Sequence, residues 1–202
     1  MAAATHYTIE VISELGEPLE PKKAAKKFTK QCGVMVRDRI PITVREWHKR
    51  KGAKESEYVA ERYKEGLWND LMAHFTLPEY EDDADTAALR EKVMEWALKK
   101  MAELFRQWKK TLWLKYEKTK TAPKFEGYLE KQARHWDAFV QYKTSEEAKA
   151  RSEKNKKNAS KKVYHHNLGT GGYKTAMPKW EKKRPRWLLK GSFQKQSAMI
   201  GT

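Results

Sequence analysis

Apolar positions recur with a helical period over long parts of this chain. Val93, Ala97, Met101, Leu104, Trp108 and Leu112 follow one another at steps of four, four, three, four and four. Those steps trace one face of a helix. Trp96, Phe105 and Tyr116 widen the stripe, and Lys99, Lys100, Arg106, Lys109, Lys110 and Lys115 fill much of the remaining surface. The stretch from Val93 to Lys118 has no Gly or Pro. Fully helical it would be roughly 39 Å long, at 1.5 Å per residue. The pattern predicts a helix over 86–117, with a break near Trp113 where Trp113 and Leu114 leave the main stripe.

The same period marks a preceding helix over 55–76, carried by Val59, Tyr63, Leu67, Leu71 and Phe75 and ended by Pro78. Gly66 inside it predicts close packing at that point. Between the two helices EYEDDAD reads as an acidic linker, with Asp85 as the cap of the long helix. Upstream, Val34, Val36 and Ile40 alternate. Thr43 with Glu46 has the spacing of a capping box, and Ile42 with Trp47 that of a hydrophobic staple. A short helix to about Arg50 is predicted there, broken near Gly52. Downstream, Phe125, Leu129, Ala133, Trp136 and Val140 define another amphipathic helix, and Thr144 with Glu147 a second capping box. The tract SEEAKARSEKNKKNASKK then offers helix formers without an apolar face.

These elements predict an all-α protein of four or five helices with basic, partly disordered termini. Four segments are expected: a flexible basic arm over 1–31, a helical core over 32–143, a basic polar helix and Gly-rich loop over 144–187, and a disordered tail over 188–202. The core is expected to pair helices 56–76 and 86–117, closed by the segments around Trp47 and Trp136.

Charge changes the picture from fold to partner. The 202 residues carry 43 Lys+Arg against 27 Asp+Glu, a formal net charge of +16. Such an excess points to a polyanion. No run of 18 apolar residues or lipidation signal accompanies it, so nucleic acid ranks above a membrane surface. The single Cys32 excludes an internal disulfide, suggests a reducing compartment, and reads by default as a small buried apolar residue. The eight Trp residues serve as core anchors or as stacking platforms for bases.

Chemistry is sparse. Two-metal strand transfer requires converging carboxylates. The bunched Glu79, Glu81, Asp82, Asp83 and Asp85 read instead as linker and helix cap, with a metal-dependent transposase or nuclease fragment using Asp82, Asp83 and Asp85 as the alternative. Cys32 has no cysteine partner at finger spacing, and His165 and His166 are adjacent, so no zinc site is assigned. GTGGYKT lacks the spacing of a phosphate-binding loop, and no apolar strand precedes it. The reading therefore assigns no catalytic residue, metal or cofactor. For nucleic acid it nominates Arg106, Gln107, Lys109, Lys110 and Lys115 on the long helix. On the polar helix it nominates Arg151, Lys154, Asn155, Lys157 and Asn158. That polar helix either tracks phosphates or is simply solvated. PKKAAKKFTK, from Pro21 to Lys30, is left with the same two readings. Lys182, Lys183, Arg184 and Arg186 form a cluster of nuclear-localisation type.

Several blocks carry a family resemblance. They are CGVMVRDRIPIT with the nearby Trp47, LWNDLMAHFTLPE, FRQWKKTLWLKY, WDAFVQYKTSEEAKARSEKNKKN and YHHNLGTGGYKTAMPKWEK. In this order, over roughly Glu14 to Lys183, they resemble the plant transposase family of the Ptta/En/Spm type found in CACTA elements. The most telling part is S-E-x-x-x-x-R-S-E-K-N-K-x-N followed by the His-containing Gly-rich loop that ends in P-K-W-E. The resemblance implies a transposon-derived nuclear protein that binds DNA, with strand transfer residing in a different, larger protein or region. A looser likeness, over about 43–118, is to trihelix or Myb-like DNA-binding architecture. Duplex DNA is the expected partner, with a larger transposase subunit, self-association and single-stranded RNA as alternatives.

Overall fold

Two helices packed side by side form the frame, and only one of them follows the expected bounds. In the computed structural model, which describes residues 6–161, the chain is mostly helical. It runs β1 (Tyr7–Thr8), β2 (Val11–Ile12), β3 (Pro18–Glu20), α1 (Lys22–Arg39), α2 (Glu61–Met72), β4 (Phe75–Thr76), α3 (Asp83–Thr119), α4 (Trp136–Thr144) and α5 (Glu146–Ser160). A 3-10 turn at Glu55–Glu57 and a 3-10 helix at Gly127–His135 complete it. The chain divides into two units, Met1–Ala148 and Lys149–Thr202.

Long helix α3 holds the first unit together. Its 37 residues extend about 55 Å at 1.5 Å per residue. Asp82, rather than Asp85, is the N-cap, its Oδ1 accepting from the Ala84 N–H at 2.7 Å. The helix does not break at Trp113. Instead Trp113 joins a second cluster, while Leu114 stays exposed. Val93, Ala97, Met101 and Phe105 pack in the main core with Phe28, Cys32 and Val36 of α1 and Leu67 and Leu71 of α2. About two to three turns further on, Leu112, Trp113 and Tyr116 pack with Ile42, Trp136 and Phe139.

The helix α1 corrects the expectation of a flexible arm. Ala24, Phe28, Cys32, Met35 and Val36 are all buried, at steps of four, four, three and one. That is a helical stripe, and it runs through residues expected to be free and through the Val34–Val36 alternation. Phe28 lies edge-on to Phe75 and tilts toward Trp96, with centroids at 4.9 and 6.2 Å. Pro41 disfavours helix at the residue before it, and α1 ends with Ile40 extended. Residues 6–20 are placed as well. Here β1 pairs in parallel with β4, β2 pairs antiparallel with β3, and Ile9 is fully buried.

The expected helix at 43–50 is absent. Its backbone donors are used elsewhere, because the N–H groups of Arg45 and Glu46 both donate to the Glu57 carbonyl at 3.0 and 2.9 Å. Glu46 and Tyr58 form an isolated parallel bridge. Between 43 and 118 the chain therefore holds two α-helices and one 3-10 turn. Helix α2 is shorter than expected, because Tyr58–Ala60 is not helical and Phe75–Thr76 is strand. Tyr63 is half exposed. Lys64 is buried in its place, with Nζ 2.7 Å from Glu61 Oε1. Gly66 has open space around it rather than a close neighbour.

The helix expected over Phe125–Val140 is divided between the 3-10 segment and α4. A 3-10 helix has 3.0 residues per turn, so its inward phase differs from the 3.6-residue pattern. Gln132 is accordingly buried and Ala133 exposed. Ser145, not Thr144, caps α5, its Oγ accepting from the Ala148 N–H at 3.3 Å. In the second unit the described helix, from Lys149 to Ser160, has no buried residue.

Candidate nucleic-acid interface

In the first unit the irregular segment 45–50 lies alongside α3, and the space between them is an open groove of about 530 Å³. Arg45, His48, Lys49 and Arg50 contribute from the loop, and Lys99, Arg106 and Lys109 from α3. Glu46 and Glu103 are its acids, and Trp47 and Phe105 its aromatics. The helix supplies one side of this set by periodicity. Lys99, Glu103 and Arg106 recur at steps of four and three, on one face.

The cations of the groove are not equivalent. Arg45 holds the loop in place. It bonds Glu57 at 3.0 Å, lies 3.7 Å from Glu147, and stacks over the Tyr142 ring at 4.3 Å. Arg50 pairs with Glu46 at 2.6 Å. Lys109 donates to the Val44 carbonyl at 2.6 Å and sits 4.4 Å from the Phe105 ring centre. Burial pulls its pKa down to about 8; the nearby Lys143 adds to the shift and Glu46 opposes it. Lys109 thus ties the loop to α3. Exposed His48, Lys99 and Arg106 have no ion pair with a described residue, and Lys49 has only the Tyr58 ring, 6.0 Å away. Those four are the groups that a phosphate would meet first.

Of the residues nominated from sequence on the long helix, the groove gathers Arg106 and Lys109. Gln107 is hydrogen-bonded to Glu103 at 2.9 Å, and Lys110 and Lys115 are exposed away from the groove. The loop cations and Lys99 were missed. Their signal is REWHKRK itself, five basic or imidazole side chains around one Trp, in a segment whose capping spacing predicts a short helix. On α5, Arg151, Lys154, Asn155 and Asn158 fall within an arc of about 100°, at 100° per residue, and Lys157 lies off it. The cluster Lys182, Lys183, Arg184 and Arg186, the Gly-rich loop with His165 and His166, and the tail lie outside the described residues.

Two other features bear on chemistry. Cys32 is fully buried, and burial pushes its thiol pKa up to about 12. Among the described residues no group of three His, Cys, Asp or Glu side chains is placed to hold a metal ion. No helix among them is long and apolar enough to cross a membrane. No family model, curated protein or solved structure matches this chain.

Proposed function

We propose that this chain is a transposon-derived nuclear protein that binds duplex DNA through the groove between residues 45–50 and α3, with no catalytic step of its own. The observation that carries the reading is the convergence of Lys49, Lys99 and Arg106, none of them in an ion pair with a described residue, on one groove with His48 and Trp47 at its wall. Cations so placed gain affinity by releasing the counterions condensed on the phosphate backbone. Arg106 is the side chain best suited to read a guanine edge, because its guanidinium offers paired donors. The face of α5 that carries exposed Lys154, Asn155 and Asn158 offers a second set of readers on the other unit. The family resemblance of the sequence blocks supports the same partner.

The test is duplex affinity across a salt series, for random and element-end sequences. Preference of ten-fold or more for element ends, about 1.4 kcal/mol, at physiological salt would establish site recognition. Equal affinities with a steep slope would establish phosphate binding alone. Absence of binding to either duplex at low salt would remove the reading.

A second reading, an interaction module that self-associates or docks on a larger transposase subunit, has one observation in its favour. Val11, Leu15 and Leu19 are exposed together on the hairpin of β2 and β3. That reading predicts a concentration-dependent mass and little salt-sensitive DNA affinity.

A further inference from the structure

A second cationic surface lies on α1. Lys22, Lys23, Lys26, Lys27 and Lys30 are all exposed, and the helix has no acid before Asp38. At 100° per residue the five fall within an arc of about 140°, so they share one face. They span nine residues, about 12 Å of helix at 1.5 Å per residue. A DNA duplex carries about one charge per 1.7 Å of axis, so about seven phosphate charges lie along the same length. None of the five has an ion pair with a described residue.

Two features argue that this face meets an anion rather than only water. Lysines at i, i+4 repel each other, and cations in the first turns of a helix oppose its dipole. The first turn of α1 contains no acid, and the carboxylate at its N-terminus, that of Glu20, accepts from the Lys22 N–H at 2.9 Å and offsets only part of the cost of five lysines. A hollow of about 220 Å³ also opens beside the ladder, lined by Lys27, Lys30 and Gln31 of α1 with Tyr7, His74 and Phe75. It brings side-chain donors from three segments to the edge of the lysine face. The exposed face carries no large apolar side chain to enter a bilayer.

We infer that the α1 face is a second phosphate-backbone contact, which engages duplex nucleic acid independently of the groove on α3. The inference rests on the DNA-binding reading for its partner, but not on the groove for its site. The chain then holds duplex at two places, and its salt dependence is the sum of both.

The test uses the full chain and a random duplex of about 20 base pairs, with slopes measured from low to physiological salt. Three variants are compared: a quadruple Lys23→Gln, Lys26→Gln, Lys27→Gln, Lys30→Gln protein, the same four positions changed to Arg, and a Lys99→Gln, Arg106→Gln protein. The quadruple Gln variant should lower the log–log salt slope by about 2 to 4, at about 0.9 per lost contact, and lose at least about ten-fold in affinity. The Arg variant should keep the wild-type slope. Unaltered circular dichroism and a melting temperature no lower than wild type would show that the Gln variant is folded. An unchanged slope in the Gln variant, with loss in the groove variant, overturns the inference and leaves the groove reading intact. Loss in the Gln variant alone sustains the inference and overturns the groove. No wild-type binding overturns both. If the Gln variant keeps its DNA affinity but no longer binds vesicles containing phosphatidylserine, the face is a membrane contact and the inference fails.

Discussion

Three glycines separate backbone need from mere tolerance. Gly16 turns the hairpin at φ +81°, and a Cβ there would lie 2.2 Å from the Lys92 carbonyl oxygen of α3. Gly16→Ala should therefore cost about 2 kcal/mol or more, from the left-handed conformation together with a backbone clash. Gly52 has φ +78° but open space, so its Ala variant should cost about 1 kcal/mol. Gly66 has neither constraint, and Gly66→Ala inside α2 should stabilise by about 0.5–1 kcal/mol. Thermal melts of the three variants check the order, and a destabilised Gly66→Ala would show an unrecognised contact. Gln132 makes the opposite point about polar burial. Its Oε1 accepts from the Ile42 N–H at 3.0 Å, and its Nε2 donates to the carbonyls of Arg37 and Ile40 at 2.6 and 3.0 Å. One amide thus satisfies the end of α1 and fixes the 3-10 segment to it. Gln132→Leu leaves those groups unpaired and should cost on the order of 3 kcal/mol in chemical denaturation. Cys32, buried with a thiol pKa near 12, should resist alkylation in the native protein and react at once in denaturant. The unfolded thiol ionises near its ordinary value of 9.0, so this group withdraws stability as pH rises from there toward 12.

At the scale of elements, legibility followed the length of the apolar stripe. The period of α3 runs through several turns without Gly or Pro, and its centre was readable directly. The tract of α5 was equally readable as a polar helix. Helix α1 was not, because the lysine pairs around Ala24 and Phe28 masked its stripe, and Val34 and Val36 alternate within it. The segment 43–50 failed for another reason. Its capping signals are local, whereas the hydrogen bonds that decide its path go to Glu57, beyond Gly52. Half of the groove was hidden with it, since Arg106 could be nominated from helix periodicity and His48 and Lys49 could not. Lys109 now links the two elements. Its folded pKa of about 8 lies below the ordinary lysine value of 10.5, so the folded state binds fewer protons between those values. Stability from this group is present above pH 10.5 and is lost as pH falls through 8. Site-resolved NMR titration should place Lys109 near pH 8. Lys143→Gln should raise that midpoint and Glu46→Gln lower it further, because these are the neighbouring charges that act on it. A midpoint indifferent to both substitutions would mean that burial alone sets it.

For the whole molecule, the balance of charge sets how stability answers to salt. Ion pairs such as Arg39–Asp70 at 2.7 Å and Lys131–Asp38 at 2.8 Å join separate segments, and salt weakens them. Each is partly exposed, and such pairs contribute about 0–1 kcal/mol. Against them stands a net charge of +16, with a lysine face on α1 and a cationic groove on α3. Self-repulsion of that size opposes the compact state, and added salt screens it. The melting temperature of the free protein should therefore rise between low and physiological salt. A gain on the order of 1 kcal/mol corresponds to about 2–4 °C in a chain of this length. Duplex DNA should also raise it at low salt, by binding only the folded state. The two increments should not add, because salt that screens the repulsion also removes the counterion-release contribution to binding. Calorimetric scans at four salt concentrations, with and without duplex, separate these terms. Stability that falls with salt in the free protein would mean that the ion pairs outweigh the repulsion. A DNA increment that persists at high salt would mean that contacts to bases, rather than phosphates, hold the complex together.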